Sequence, residues 1–308
     1  MISIKGDNVT KIFRLTDKII PILLAEDFFI PKGSVVFITG KSGSGKSTFL
    51  KLLLREYLPD YGKIYFNEMD ITTLKDHQLS IFRTSIGVIF QDYKLITYKT
   101  VAENIAFILD IIGVPKKHQG KMIDQLLQIV GLQHKKEYLP EYLSGGEQRR
   151  VAIARALATN PSVILADEPT GDLDPYNTNI VIDILKNLHK KGITIVIATH
   201  QLSLIKEFKR PIVWYLENGR IYKNLTLKEV EKKYYAPPAG IDPRTKQLLE
   251  ELPEQIQHKL MPILPASLEN LIKLTPRLYK EKLDFSDKEI EIFLKTLKEF
   301  IDKQTNSS

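Results

Sequence analysis

The chain contains an eight-residue loop suited to holding a phosphate chain, Gly40-Lys41-Ser42-Gly43-Ser44-Gly45-Lys46-Ser47. Its glycines allow a tight turn that points successive N–H groups inward, and this nest continues into the positive end of a helix dipole. Lys46 can then reach the β- and γ-phosphates, and the Ser47 hydroxyl suits Mg²⁺. The alternative is a Gly/Ser-rich surface turn. The strand-like run 34–39 before the loop and the helix-forming run 48–54 after it favour a phosphate-binding loop.

A pair of carboxylates follows a second apolar run. Residues 163–166 predict a central strand, which delivers Asp167 and Glu168 to its carboxyl end, where open α/β sheets hold their ligands. Asp167 suits Mg²⁺, and Glu168 can polarise an attacking water as a general base. An isolated Asp-Glu-Pro could also cap a strand in a solvated turn. The string Pro169-Thr-Gly-Asp-Leu-Asp174 that follows favours the catalytic interpretation.

A third string, Leu143-Ser144-Gly145-Gly146-Glu147-Gln148, lies between the loop and the carboxylates. With the loop before it, and Asp167-Glu168 and His200 after it, the chain over about residues 1–225 resembles the family of ABC-type ATPases. The resemblance implies ATP as the nucleotide, Mg²⁺ as the metal and hydrolysis of ATP as the reaction.

The resemblance also implies roles for residues that are weak signals when read alone. Gln91 matches a glutamine that senses the γ-phosphate and the metal, and His200 matches a histidine that contacts the γ-phosphate. Asp174 matches an aspartate that crosses between subunits. Ser144 and Gly146 match groups that contact ATP held by the opposite subunit, so the resemblance implies a homodimer with two sandwiched nucleotides.

The complete prediction divides the site into three overlapping sets. The catalytic set is Glu168, His200, Gln91 and Lys46. The metal set is Ser47, Gln91 and Asp167. The nucleotide-binding set is Phe13, Gly40, Lys41, Ser42, Gly43, Ser44, Gly45, Lys46, Ser47, Thr48, Gln91, Ser144, Gly145, Gly146, Glu147, Asp174 and His200. Phe13 stands where the family places an aromatic ring that stacks on adenine, although packing within the N-terminal sheet is an open alternative.

Longer strings narrow the resemblance to the cell-division branch of the family, the FtsE type. The run Phe90-Gln-Asp-Tyr-Lys-Leu95 discriminates best, because lipoprotein-release and macrolide-export ATPases share most other strings. The branch implies an FtsX-like integral membrane partner and ATP-driven control of cell-wall hydrolases. The chain departs from the branch after residue 225, where typical members end. Within the transporter class, the alternative function is that of a lipoprotein-release or macrolide-type efflux ATPase. A soluble ABC protein acting on ribosomes or DNA is the alternative from another class, and one cassette without sustained heptads disfavours it.

Composition fits a soluble intracellular protein, and the resemblance implies a cytoplasmic chain that is peripheral to the inner face of the cell membrane through its FtsX-like partner. The 308 residues include no cysteine, which fits a reducing compartment, and no run approaches the ~18 apolar residues of a spanning helix. The formal charge of +7 arises entirely before residue 226. Basic clusters at 116–118 and 134–136 could meet anionic lipid, but a solvated face is favoured. No nucleic-acid-binding module is recognisable, so no nucleic-acid partner is expected.

The order of elements predicts an α/β fold, a P-loop NTPase of ABC type. It combines a parallel sheet core, an N-terminal antiparallel β segment, a helical subdomain at about 92–160 and a small, mainly helical C-terminal extension. The predicted domains are 1–225 for the ATPase, 226–243 for a linker and 244–308 for the extension. In the extension, the last helix carries an apolar stripe that favours a small core over a membrane-lying helix. Its members are Ile290, Phe293, Leu294, Leu297, Phe300 and Ile301.

Overall fold

The computed structural model describes residues 3–14, 19–235, 242–260, 263–264 and 268–305. The strands are β1 (Ile4–Arg14), β2 (Ile19–Ile30), β3 (Val35–Thr39), β4 (Tyr61–Phe66), β5 (Met69–Asp70), β6 (Ile86–Ile89), β7 (Val163–Asp167), β8 (Thr194–Ala198), β9 (Ile212–Glu217) and β10 (Arg220–Tyr222). The longer helices are α1 (Lys46–Leu53), α2 (Asp76–Thr84), α3 (Val101–Ile111), α4 (Lys116–Val130), α5 (Gly145–Leu157), α6 (Pro175–Lys190), α7 (Leu202–Lys206), α8 (Leu227–Tyr235), α9 (Pro243–Glu250), α10 (Glu254–Leu260), α11 (Leu268–Lys273), α12 (Pro276–Leu283) and α13 (Asp287–Thr305).

Two sheets form the framework of the protein. A six-stranded sheet has the order β10-β9-β3-β8-β7-β6, parallel except for β10, and a four-stranded antiparallel sheet has the order β2-β1-β4-β5. β3, β7 and β8 are apolar runs buried over nearly their whole length, as expected for parallel strands covered on both faces. Their carboxyl ends meet at one edge, so the segments that follow them converge there.

The apolar runs after residue 160 predict strands that alternate with helices, as the structure has them, but the pattern before residue 160 misses β6. The region 70–160 reads as mostly helical, yet β6 lies within it and pairs in parallel with β7. Gly87 of β6 approaches the backbone of α5 so closely that an added Cβ would lie 2.6 Å from the Ala156 carbonyl oxygen. β6 ends just before Gln91 and therefore brings that residue to the same edge as Asp167.

The C-terminal region differs from the predicted linker at its start. α8 occupies the first half of the range 226–243, while residues 236–241 of the predicted linker lie outside the described residues. Helices α9 to α13 pack around an apolar core that also includes Ile12 of β1 and Leu24 of β2, and the predicted stripe of α13 contributes Ile290, Phe293, Leu297 and Phe300 to it. Ile301 packs beside this core, whereas Leu294 is 36% exposed and lies off it. None of the described helices combines the length and hydropathy needed to cross a bilayer.

Candidate active site

The phosphate loop joins β3 to α1 with a backbone that requires glycine. Gly45, which precedes α1, has φ 98°, and an added Cβ would lie 2.8 Å from the Ile22 side chain. Gly40 has φ 151°, and an added Cβ there would lie 2.4 Å from the carbonyl oxygen of Leu216. L-residues rarely adopt such backbone angles, and backbone atoms do not yield easily. The loop can therefore pass between β2 and β9 only with these glycines.

Lys46 folds back over this loop. Its ammonium group is buried and donates to the carbonyl oxygens of Gly40 at 3.0 Å and Lys41 at 3.1 Å. Burial lowers the pKa of Lys46, although Glu168 and Asp167 favour its charged form. A cation in this position faces the space enclosed by the loop, which suits an anionic ligand.

Ser47 and Asp167 form a hydrogen-bonded pair of oxygen ligands at the carboxyl edge of the sheet. Burial raises the pKa of Asp167, while the Ser47 hydroxyl and Lys46 favour the ionised carboxylate. The amide of Gln91 lines a cavity with both residues. Hydroxyl, carboxylate and amide oxygens are hard donors that fit Mg²⁺, which commonly takes one or two carboxylates together with phosphates and waters. In the described part of the chain, no group of three or more His, Cys, Asp or Glu forms a metal cage, so phosphate oxygens would complete such a site.

Glu168 is held rigidly at the end of β7. Its φ of 45° is unusual for a non-glycine residue. One carboxylate oxygen, Oε2, accepts from the Thr199 hydroxyl at 2.8 Å. The other, Oε1, accepts from the His200 backbone N–H at 2.9 Å and lies 2.6 Å from His200 Nδ1. The carboxylate is thus oriented by the segment that follows β8, and the imidazole beside it remains half-exposed.

Part of the predicted site lines one open cavity of about 350 Å³. Its lining includes Ser42, Gly43, Gly45, Lys46, Ser47, Thr48, Gln91, Glu168 and His200. Lys41 and Ser44 line an adjoining cavity on the other side of the loop. The structure therefore brings the predicted loop residues, the proposed base, Gln91 and His200 together within one chain.

The residues of the string 143–148 do not line this cavity. Ser144 caps α5 and accepts from the Glu147 N–H at 3.2 Å, while Glu147 accepts from the Ser144 N–H at 2.8 Å. Ser144 and Gly145 are exposed, whereas Gly146 is buried against Asn177, where an added Cβ would lie 2.2 Å from its side chain. Asp174 caps α6 through Asn177 and also lines none of the loop cavities described above.

Three further side chains connect these segments, and the sequence pattern misses them. Arg149, buried in α5, donates to the carbonyl oxygens of Phe90 at 2.6 Å and Gln91 at 3.0 Å. Arg150 donates to Asn177, which bonds Asp174. Because α5 is buried on almost every side, apolar periodicity does not indicate where its arginines point. The third side chain is Thr199, which donates to Glu168. Its position directly after β8 and before His200 is the sequence feature that could have identified it.

Phe13 lies at the end of β1, opposite Ile20 of β2. Its ring packs edge-on against Tyr57 with centroids 5.3 Å apart, and the Lys11 ammonium lies 5.1 Å from its centroid. Phe13 is half-buried and is not among the residues that line the loop cavity. Both the packing and the stacking interpretations of this residue fit its position at the end of the β1–β2 pairing next to the segment that connects the two strands.

Comparisons with known proteins agree with this geometry. The ABC transporter family model matches residues 25–171. The cell division ATP-binding protein FtsE of Bacillus subtilis (strain 168) is 42% identical over 195 residues, which make up 63% of this chain and 85% of that protein. The chain is an ABC-type ATPase. The methionine import ATP-binding protein MetN of Geobacillus kaustophilus (strain HTA426) is 39% identical over 256 residues, which cover 82% of this ATPase and 74% of MetN.

A solved relative supports the assignment of the fold. The dimeric post-hydrolysis structure of the ATP-binding cassette MJ0796, bound to ADP and Pi, has a TM-score of 0.66 and 34% identity, and covers 72% of this chain and 99% of that one. The predicted fold class and the predicted ATPase activity are therefore confirmed.

Proposed function

We propose that the cavity binds the phosphates of Mg²⁺-ATP and that Glu168 activates the hydrolytic water. The observation that carries this proposal is the buried Lys46 ammonium, which lies within the glycine loop beside Glu168, Asp167 and Ser47. Lys46 and the loop N–H groups bind the β- and γ-phosphates, with adenine stacked on Phe13. Bound Mg²⁺, held by Ser47, Asp167 and Gln91, would neutralise charge on the phosphate oxygens.

Glu168 and His200 have different roles at the γ-phosphate. The carboxylate accepts the proton of the attacking water, and its orientation is fixed by Thr199 and the His200 N–H. The half-exposed imidazole of His200 contacts the γ-phosphate. His200 Nδ1 lies 2.6 Å from Glu168 Oε1, so the two groups that the proposal assigns to the γ-phosphate are held side by side.

We propose further that a second copy of the chain completes the site. The exposed Ser144 and Gly145 at the start of α5 lie outside the cavity of their own chain, and the helix start offers N–H groups and a positive dipole to a phosphate. The dimeric MJ0796 structures support this arrangement. In it, Asp174 lies where the two copies cross.

Glu168→Gln tests both parts of this proposal. The amide keeps the shape of the side chain but cannot accept a proton, so we expect ATP to bind, turnover to stop and a nucleotide-bound dimer to accumulate in size-exclusion chromatography. Unchanged steady-state hydrolysis would contradict the assignment of the base. Failure of the inactive variant to dimerise with Mg²⁺-ATP, even with its membrane partner supplied, would contradict the shared site.

For the cellular role, we propose a peripheral subunit of an FtsEX-type complex, in which ATP-driven dimerisation acts through an FtsX-like membrane protein to control cell-wall hydrolysis. The similarity to FtsE supports this role. The surface for the partner is a groove of about 510 Å³ between β6, α3 and α5, lined by Val88, Phe90, Ile108 and Ile111. Ile111 is 64% exposed, and Phe90 directly precedes Gln91, so a partner seated there can act on the γ-phosphate side of the site.

Co-purification in detergent tests the partner. Ile111→Asp should abolish recovery of an FtsX-like membrane protein while leaving basal hydrolysis intact, and Ile129→Asp on the exposed side of α4 is the matched control. Equal recovery by both variants would contradict the proposed surface. The MetN match spans more of the chain, which favours amino-acid import as a second candidate. Recovery of a solute-permease partner, with loss of methionine uptake on depletion and no division defect, would establish that alternative.

A further inference from the structure

The C-terminal helices pack against the strands that carry the base-side edge of the proposed nucleotide site. Ile12 of β1 and Leu24 of β2 are buried in the same apolar core as residues of the extension, including Leu271, Leu278 and Phe293. The extension and this hairpin therefore share one core.

Polar contacts fix the register between the extension and the hairpin. Asn270 of α11 donates to the Leu24 carbonyl oxygen and lies 3.4 Å from Glu26 Oε1. Lys282 of α12 lies 3.1 Å from Asp60 Oδ1. Asp60 Oδ2 in turn accepts the Ile12 N–H at 2.7 Å. The side chains of both Lys282 and Asp60 are largely buried, which limits solvent screening of this pair.

In the sequence, Phe13 lies between two residues that contact the extension, Ile12 and Arg14. The side chain of Ile12 is buried in the core of the extension, and its N–H is bonded to Asp60, which pairs with Lys282. Arg14 lies 3.5 Å from Asp284, the residue directly after α12. Leu264 of the extension also lines the cavity that Ile19, Ile20 and Pro21 share with loop residues Lys41–Ser44. These contacts fall on hairpin residues on both sides of Phe13, so the extension acts on the part of the site nearest the base.

We propose that the C-terminal helices position the base-binding edge of the ATP site, so that docking of the extension on the β1–β2 hairpin strengthens nucleotide binding through Phe13. This inference rests on the proposed function, because it requires that Phe13 contacts adenine. The extension residues are positioning residues, since they act through the hairpin and touch no phosphate. Energetic linkage is reciprocal, so a bound base must in turn favour the docked extension.

The double variant Asn270→Ala/Lys282→Met removes the polar contacts of α11 and α12 with the hairpin. We expect its KM for ATP to rise at least about fivefold, the lower end of usual couplings between sites, with kcat unchanged within about twofold. Inhibition by inorganic tripolyphosphate, which has no base, should be unchanged. Lys280→Met is the matched control, because Lys280 lies on the same helix and pairs with Asp287 within the extension.

A KM equal to that of Lys280→Met would overturn the inference, as would an equal weakening of tripolyphosphate inhibition. Absence of hydrolysis by the unaltered protein would instead contradict the proposed function. Hydrogen exchange on the unaltered full chain provides a second test that needs no variant. A non-hydrolysable ATP analogue should slow exchange in 276–284, while tripolyphosphate should not. Identical exchange with both ligands would also overturn the inference.

Discussion

Replacing Thr199 by valine tests whether the proposed base depends on an oriented carboxylate. Thr199 is fully buried, and its hydroxyl donates to Glu168 Oε2 at 2.8 Å while accepting the Gln201 N–H at 3.0 Å. Valine has the same shape but cannot make either bond. The change therefore releases one oxygen of Glu168 without opening a cavity.

The size of the effect follows from the bonds that remain. A hydrogen bond to a charged group contributes about 1.5–3 kcal/mol, and each 1.36 kcal/mol in the barrier is tenfold in rate. If the transition state lost the whole energy of this bond, kcat would fall by about 10- to 150-fold. Because Oε1 remains held by the His200 N–H at 2.9 Å, we expect the lower end, about tenfold. The KM for ATP should change less than about twofold, since both partners of the hydroxyl lie outside the phosphate loop.

Steady-state ATP hydrolysis and nucleotide binding measure this separation. Thr199→Ser restores a hydroxyl and should recover most of kcat. Thr194→Val is the matched control: Thr194 is equally buried at the start of β8, and its hydroxyl accepts the Gly33 N–H at 2.9 Å far from the site. It should lose stability but not kcat. Equal kcat in the two valine variants, or a serine variant as slow as the valine one, would refute the positioning role.

Three further substitutions test other parts of the site. Ser144→Arg should abolish hydrolysis while calorimetry shows unchanged ATP affinity of the monomer, and normal turnover by the isolated variant would argue against a shared site. Asp167→Asn should raise the melting temperature of the nucleotide-free protein at neutral pH. Burial raises the pKa of Asp167, so its contribution to stability is present at acid pH and is lost as pH rises through the raised pKa. The advantage of asparagine should shrink on acidification, and a pH-independent difference would contradict this cause. Arg149→Met leaves the carbonyls of Phe90 and Gln91 without donors at about 1–3 kcal/mol each, which denaturant unfolding should detect; an unchanged midpoint would mean that solvent replaces the guanidinium.

The phosphate loop and the end of β7 could be predicted because their chemistry is local. A glycine at φ 98° before α1 and carboxylates at a strand's carboxyl end are dictated by neighbouring residues. Arg149 could not be placed in this way. Its partners lie some sixty residues earlier in the chain, and its helix is buried on almost every side, so no periodic pattern shows its direction. The division into 1–225, 226–243 and 244–308 stays a prediction.

The extension illustrates the same limit at a larger scale. The stripe of α13 predicts an apolar core, but it does not predict that Ile12 and Leu24 of the first two strands complete that core. Those residues read equally well as the interior of the N-terminal sheet, because alternation defines faces and not partners. The contact with Asn270 spans 246 residues of sequence. No local pattern contains such information.

The open side of the cavity fits the proposal that a second copy of the chain completes the site. In the proposed complex, Lys46, the loop, Ser47 and Asp167 would surround the phosphates from the strand side. Glu168 is buried, whereas the side chain of His200 is half-exposed. In an open cleft, water screens the cation and competes for the positions that a phosphate must occupy. Covering that side with the exposed helix start of a second copy would exclude water and add donors at once. Hydrolysis should therefore depend on protein concentration, and a specific activity that stays constant on dilution below the dimer dissociation constant would contradict this reasoning.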